Sequence, residues 1–147
     1  MGHSFFPNDK NIARMSLTSG NQTVSSTNAT TIDLDTSSLL VGDKFSIDVA
    51  NKRINILQSG HFYINAQVRL GGVTDGEQMR VFINDSSTAL AEGFNSGSSG
   101  TGCGVNVSSV NYLAAGNYVY LQIDSTADAS YTVTAGAIST YLQIFEI

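Results

Sequence analysis

Tryptophan is absent from this 147-residue chain, and cysteine and proline occur once each. Cys103 therefore has no partner for an internal disulfide, and without a second cysteine at C-x-x-C spacing it forms neither a redox pair nor a zinc motif. Charge is scarce too: 13% of residues are Asp, Glu, Lys or Arg, and the formal net charge is -5. The basic residues are dispersed, whereas a nucleic-acid surface needs them clustered, so no nucleic acid is expected as a partner. No run approaches the ~18 apolar residues of a membrane-spanning helix. The start, MGHSFFPNDKN, lacks the cationic segment and apolar core of a secretion signal, and Phe6 stands where myristoylation requires Ser or Thr. No membrane is expected. Asn21, Asn28, Asn84 and Asn106 each begin an N-x-S/T triplet, which has meaning only on a secretory route.

Residues for chemistry are also few. The two histidines are His3, near the start, and His61, at the head of a predicted strand. A nucleophilic hydrolase needs a base held beside its serine, and abundant Ser and Thr near one histidine do not make a triad. A glycosidase needs two carboxylates across a sugar; Asp75 or Glu77 with Glu92 is the available pairing, yet all three sit where turns are expected. Asp33 and Asp35 share one face two residues apart, but no further carboxylate lies close enough to complete a cation shell, so a solvated face is the better reading. The run FNSGSSGTGCG is rich in glycine without the G-x-x-x-x-G-K-[ST] order of a phosphate loop, and reads as a long strand connection. The expectation is a protein that is not an enzyme, with no catalytic residues, no metal and no cofactor.

What the chain does have is alternation. No stretch repeats its apolar residues at helical spacing, while Phe45, Ile47 and Val49, then Ile54 and Ile56, alternate with polar neighbours around a turn at Ala50–Lys52. Phe62, Ile64, Ala66, Val68 and Leu70 form one apolar face, with His61, Tyr63, Asn65, Gln67 and Arg69 opposite. Met79, Val81 and Ile83 alternate next, and a short segment follows over Thr88–Glu92. Val119, Leu121 and Ile123 alternate after a tight turn at Ala114–Asn117. Ile12–Ser19, Ile32–Leu34, Tyr131–Ala135 and Ile138–Ile147 read as further strands. Roughly eight to ten strands and no helix predict an antiparallel two-sheet sandwich, large enough as a single domain to bury ~70% of its unfolded surface. Residues 1–11 read as an N-terminal arm and 12–147 as the domain.

The final strand, TYLQIFEI, is apolar on both faces: Leu142 and Ile144 point one way, Tyr141, Gln143, Phe145 and Ile147 the other. Such a strand lies either between two sheets of one monomer or between its own core and a second copy. Phe5, Phe6 and Pro7 raise the same choice for the arm, which docks back on the body or on a partner.

Three segments resemble the tumour necrosis factor and complement globular-head superfamily of trimeric jelly rolls. GHFYINAQV, Gly60 to Val68, is similar to its glycine-led aromatic strand ending in a small-Gln-Val triplet. Leu113, Gly116, Asn117, Val119 and Leu121 resemble its L-x-x-G-D-x-V-x-L hairpin, with Asn117 where Asp is usual, and the chain ends in the aromatic and aliphatic strand YLQIFEI. The resemblance covers about Ile12 to Ile147. It implies a jelly roll that trimerises through Tyr63, Asn65, Gln67, Tyr141, Gln143 and Phe145, the faces that alternation picks out independently. Asn65 is more polar than the family's frequent aromatic, and the paired cysteines of the animal cytokines are missing, so a cytokine is not the expected function.

Jelly rolls of this composition recur in virus particles. The expected function is therefore a bacteriophage virion protein on the capsid exterior, made in the host cytoplasm: a decoration or cement protein that binds the major capsid protein of the assembled shell as a homotrimer, with Phe5, Phe6 and Pro7 as docking residues. The alternative is the receptor-binding tip of a phage fibre or another trimeric adhesin.

Overall fold

The computed structural model describes residues 10–25, 27–97, 102–126 and 130–147. Among them are thirteen strands and no helix: β1 (Ile12–Ser16), β2 (Gln22–Val24), β3 (Thr30–Thr31), β4 (Thr36–Val41), β5 (Phe45–Asp48), β6 (Arg53–Ile56), β7 (Gly60–Gly71), β8 (Gln78–Asn84), β9 (Ala89–Ser96), β10 (Cys103–Leu113), β11 (Tyr118–Ser125), β12 (Tyr131–Val133) and β13 (Tyr141–Glu146). They form two antiparallel sheets. One has seven strands in the order β2-β12-β7-β13-β1-β4, with β10 on the other edge of β7; the second has six, β5-β6-β11-β8-β9, with β3 also on β11.

Alternation decides which side chains meet between the sheets. Phe62, Ile64, Ala66, Val68 and Leu70 from β7, Leu142 and Ile144 from β13, and Ala13 and Met15 from β1 are buried against Met79, Val81 and Ile83 of β8 and Val119, Leu121 and Ile123 of β11. Phe45 and Phe62 join the sheets through tilted rings 5.2 Å apart. Each buried aliphatic side chain contributes about 1.5–3 kcal/mol of transfer free energy, so this inner layer dominates the stability of the sandwich.

The β5–β6 hairpin forms as expected except at Val49, which lies exposed in the turn rather than on the strand. Asp48 closes its turn by accepting from the Asn51 backbone N–H at 3.1 Å and side-chain amide at 2.8 Å. The β10–β11 turn is closed by the Asn117 N–H donating to the Ala114 carbonyl at 3.1 Å, with Gly116 at φ +93°, a conformation that favours glycine. A third fastening involves Asn11, the last residue of the expected arm. It is buried; its Oδ1 accepts from the backbone N–H of Asp43 at 2.9 Å and Lys44 at 3.1 Å, while its Nδ2 donates to Glu146 Oε2 at 3.0 Å. Lys44 Nζ donates to the other oxygen of Glu146 at 2.5 Å. A Cβ on Gly42 would fall 2.0 Å from Asn11 Oδ1, and Gly42 has φ +82°, so this corner is built on glycine.

Several expected elements differ. Ile32 and Leu34 are fully buried as expected, but residues 32–35 pair with no strand for any length: Ile32 N–H donates to Leu121 O, and Leu34 N–H bonds locally back to Ile32 O. The strand forms instead over the neighbouring Thr36–Val41, whose exposed Leu39, Leu40 and Val41 lie at a sheet edge. Of the short segment at Thr88–Glu92, all but Thr88 belongs to an eight-residue strand, β9, because Gln78–Asn84 pairs with it as far as Ser96. Ile138, expected to open the last strand, is exposed in the turn before it.

Candidate functional site

The register of five adjacent strands arranges the outer face of the seven-stranded sheet into rows across the strands. Val110, Tyr63, Phe145, Ile12 and Val41 stand side by side on β10, β7, β13, β1 and β4. The next row is Ser108, Asn65, Gln143, Arg14 and Leu39, and the third is Asn106, Gln67, Tyr141, Ser16 and Thr36. Arg14 is the one charged residue in these three rows. The first row is apolar from edge to edge. Beyond it Tyr112 pairs with His61, whose carbonyl accepts from the Ile147 N–H.

All six residues expected at an assembly interface lie on this face, half-buried, as three cross-strand pairs: Tyr63 with Phe145, Asn65 with Gln143, and Gln67 with Tyr141. Tyr63 and Phe145 hold their rings 5.1 Å apart. The Arg14 guanidinium lies 3.9 Å from the centroid of Tyr141 and donates to the Ala137 carbonyl at 2.6 Å, so its charge is partly engaged within the chain. Gln67 Nε2 donates to the Ile138 carbonyl at 2.9 Å and pins the same turn. In the middle of the face Tyr63, Asn65, Asn106, Ser108 and Tyr141 line a depression of about 200 Å³. Asn65 Oδ1 there is shielded from solvent and accepts no hydrogen bond among the described residues.

Sequence reasoning missed Ile12, Leu39, Val41, Val110 and Tyr112, which complete the apolar part of the face. The signal was present in β10. Val105 and Val107 point into the core, whereas Val110 and Tyr112, at even positions, are 60% and 59% exposed on the outside. One strand thus carries apolar residues on both faces, as β13 does. Phe5, Phe6 and Pro7, the expected docking residues, lie outside the described residues.

Of the candidate chemical residues, His61, Glu77, Asp33 and Asp35 each have a structural partner. His61 packs against Tyr112 in an edge-on arrangement, ring centroids 5.3 Å apart. Glu77 is buried and accepts from the Thr74 N–H at 3.1 Å within its loop, while Glu92 stands exposed on β9, opposite Phe82. Asp33 pairs with Lys52. Burial opposes charge on Asp35, but Ser19, Thr18 and Thr36 donate to it and together hold its carboxyl well below the usual range. No group of three His, Cys, Asp or Glu among the described residues is arranged to hold a metal ion.

No family model matches the chain, and no curated protein matches it in sequence. Solved structures do match. Eiger TNF from S. frugiperda superposes with a TM-score of 0.71 at 11% identity, over 94% of this chain and 92% of that one. Murine APRIL at pH 5.0 gives 0.70 at 13% identity, over 94% and 99%. The fold is a tumour necrosis factor-like jelly roll. At this identity the likeness concerns the fold, and it is consistent with the two antiparallel sheets above.

Proposed function

We propose that the chain is an assembly module: it forms a homotrimer through the outer face of the seven-stranded sheet and serves as a bacteriophage capsid decoration protein. The observation that carries the assembly is the row Val110–Tyr63–Phe145–Ile12–Val41, an apolar band crossing five strands of a sheet that carries a single charge in its three central rows. A wet sheet face ordinarily alternates to charge, and a contiguous apolar band is a surface for another protein. Three copies around an axis bury the same band in each without leaving an open face. The shielded Asn65 carbonyl supports the same reading, since a second copy can supply the donor that no described residue does.

The decoration role rests on composition and on the arm. A low-charge domain rich in Ser, Thr, Asn and Gly suits a shell surface, and Phe5, Phe6 and Pro7 supply three apolar anchors per trimer to the major capsid protein. Binding only the assembled shell then stabilises it by mass action. Light scattering on the full chain is expected to give three times the protomer mass, and a monomer at every concentration refutes the assembly. Cosedimentation with empty capsids tests the role. A chain starting at Lys10, which keeps the Asn11 fastening, is expected to remain a trimer and lose most capsid binding; equal occupancy refutes the arm as anchor.

The second reading, a receptor-binding tip, uses the same trimer and requires a ligand site on a surface that the trimer leaves open. The outer face of the six-stranded sheet has the depressions for one.

A further inference from the structure

Strand β11 places Tyr118, Tyr120, Gln122 and Asp124 at alternate positions on the outer face of the six-stranded sheet, and β8 sets Asn84, Phe82 and Arg80 beside the last three. Two depressions, of about 390 and 250 Å³, lie on this face. Tyr120 and Gln122 line both, so the two are parts of one groove across β11. Its polar groups are fixed in place. Asn84 Nδ2 donates to Gln122 Oε1 at 2.5 Å, and Arg80 donates through Nε and Nη2 to the two oxygens of Asp124 at 2.7 and 2.8 Å. Tyr118 and Tyr120, half-exposed, hold their rings 5.9 Å apart at 42°, with the Arg53 guanidinium 4.1 Å from the Tyr118 centroid.

The ligand class follows from what this surface satisfies and what it repels. An anionic strand of nucleic acid needs uncommitted cations, but Arg80 is paired with Asp124 and Arg53 with Asp48, and Asp85 and Asp124 line the groove. A peptide added as a strand needs an open sheet edge, whereas this groove crosses the middle of a sheet. A wholly apolar ligand covers Asn84 and Gln122 without using the donor and acceptor positions that their mutual bond leaves over. A pyranose ring meets every requirement: its weakly positive C–H face lies on the negative face of a tyrosine ring, and its hydroxyls, donors and acceptors both, match the amide and carboxylate groups that line the groove. We propose that the groove centred on Tyr120 and Gln122 binds a neutral carbohydrate, through stacking on Tyr118 and Tyr120 and hydroxyl bonds to Asn84, Gln122 and Asp124.

The groove is built within one copy, on the sheet opposite the apolar band, so the proposal does not rest on the trimer. A trimer presents three such grooves and gains avidity toward a glycan surface. The test is saturation-transfer NMR of the full chain with D-glucose, D-galactose, N-acetyl-D-glucosamine, L-fucose and L-rhamnose, followed by titration of whichever sugar responds. Transfer to the ring protons of at least one sugar is expected. Tyr120→Ala should weaken its binding about tenfold or more, and Gln122→Ala, which leaves the platform in place, should weaken it less. Tyr63→Ala, on the other sheet, should leave it unchanged. No transfer to any of the sugars overturns the proposal, as does equal binding by folded Tyr120→Ala and Gln122→Ala proteins. Displacement of the sugar by short oligothymidylate also overturns it, because the groove would then be a stacking site for bases.

Discussion

The two outer faces of this sandwich obey the same alternation and end with opposite chemistries. On the seven-stranded sheet the outward residues of β10, β7, β13, β1 and β4 line up into an apolar band, with Arg14 and Gln67 bonded to the turn at 137–138 and Asn65 Oδ1 without a partner among the described residues. On the six-stranded sheet the outward residues of β8 and β11 bond to one another, Asn84 to Gln122 and Arg80 to Asp124, and leave tyrosine rings standing among satisfied polar groups. A face whose polar atoms are paired is finished and suits a small polar ligand. A face with an apolar row and a shielded carbonyl has the chemistry of the proposed assembly surface.

The contrast breaks most completely at the apolar band. Replacing Tyr141 and Phe145 together by Asp puts like charges near one axis, and the expected outcome is full loss of the trimer, read as protomer mass or aggregation by light scattering. Next in size are the shared inner residues: Ile64→Ala or Leu121→Ala should cost about 2–5 kcal/mol of unfolding free energy whichever sheet is touched, because each leaves a cavity between the two. Tyr63→Ala differs in kind. It should make melting depend more steeply on protein concentration, and melting that matches the wild type at every concentration removes Tyr63 from the interface.

A smaller effect comes from acid. Hydrogen bonding from Lys44 lowers the Glu146 pKa, burial opposes it, and Asn11 adds to the lowering. A carboxyl held lower in the folded state than its ordinary 4.5 stabilises the fold above that value, and the contribution disappears as pH falls through the folded pKa. Thermal melts between pH 7 and 3 should therefore show an acid loss, and Glu146→Gln should remove part of it by lowering the neutral-pH plateau. Smallest of all is Tyr120→Ala, half-exposed on the ligand face, whose effect on stability should stay within about 0.5 kcal/mol. A large loss there would mean that the tyrosine pair holds the sheet together rather than waiting for a ligand.

The inward residues of β7, β8, β11 and β13 were legible from alternation because side-chain direction in a strand is set by the peptide geometry of that strand alone. For the same reason the six interface candidates could be assigned to one face each, and the Ala114–Asn117 turn located, before any pairing was known. Ile32 and Leu34 show the limit: their pattern established burial correctly but not hydrogen bonding, since an isolated apolar pair can enter the core from an irregular segment. Nor could alternation reveal that Val110, Tyr63, Phe145, Ile12 and Val41 are neighbours. That row joins positions as distant as Ile12 and Phe145, and it exists only through the register of five strands. The groove has the same origin, because Asn84 and Gln122 become a bonded pair only when β8 lies beside β11. The sequence determined which side of each strand faces the core; the order and register of strands, fixed by simultaneous packing of the whole inner layer, decided which outward residues stand together.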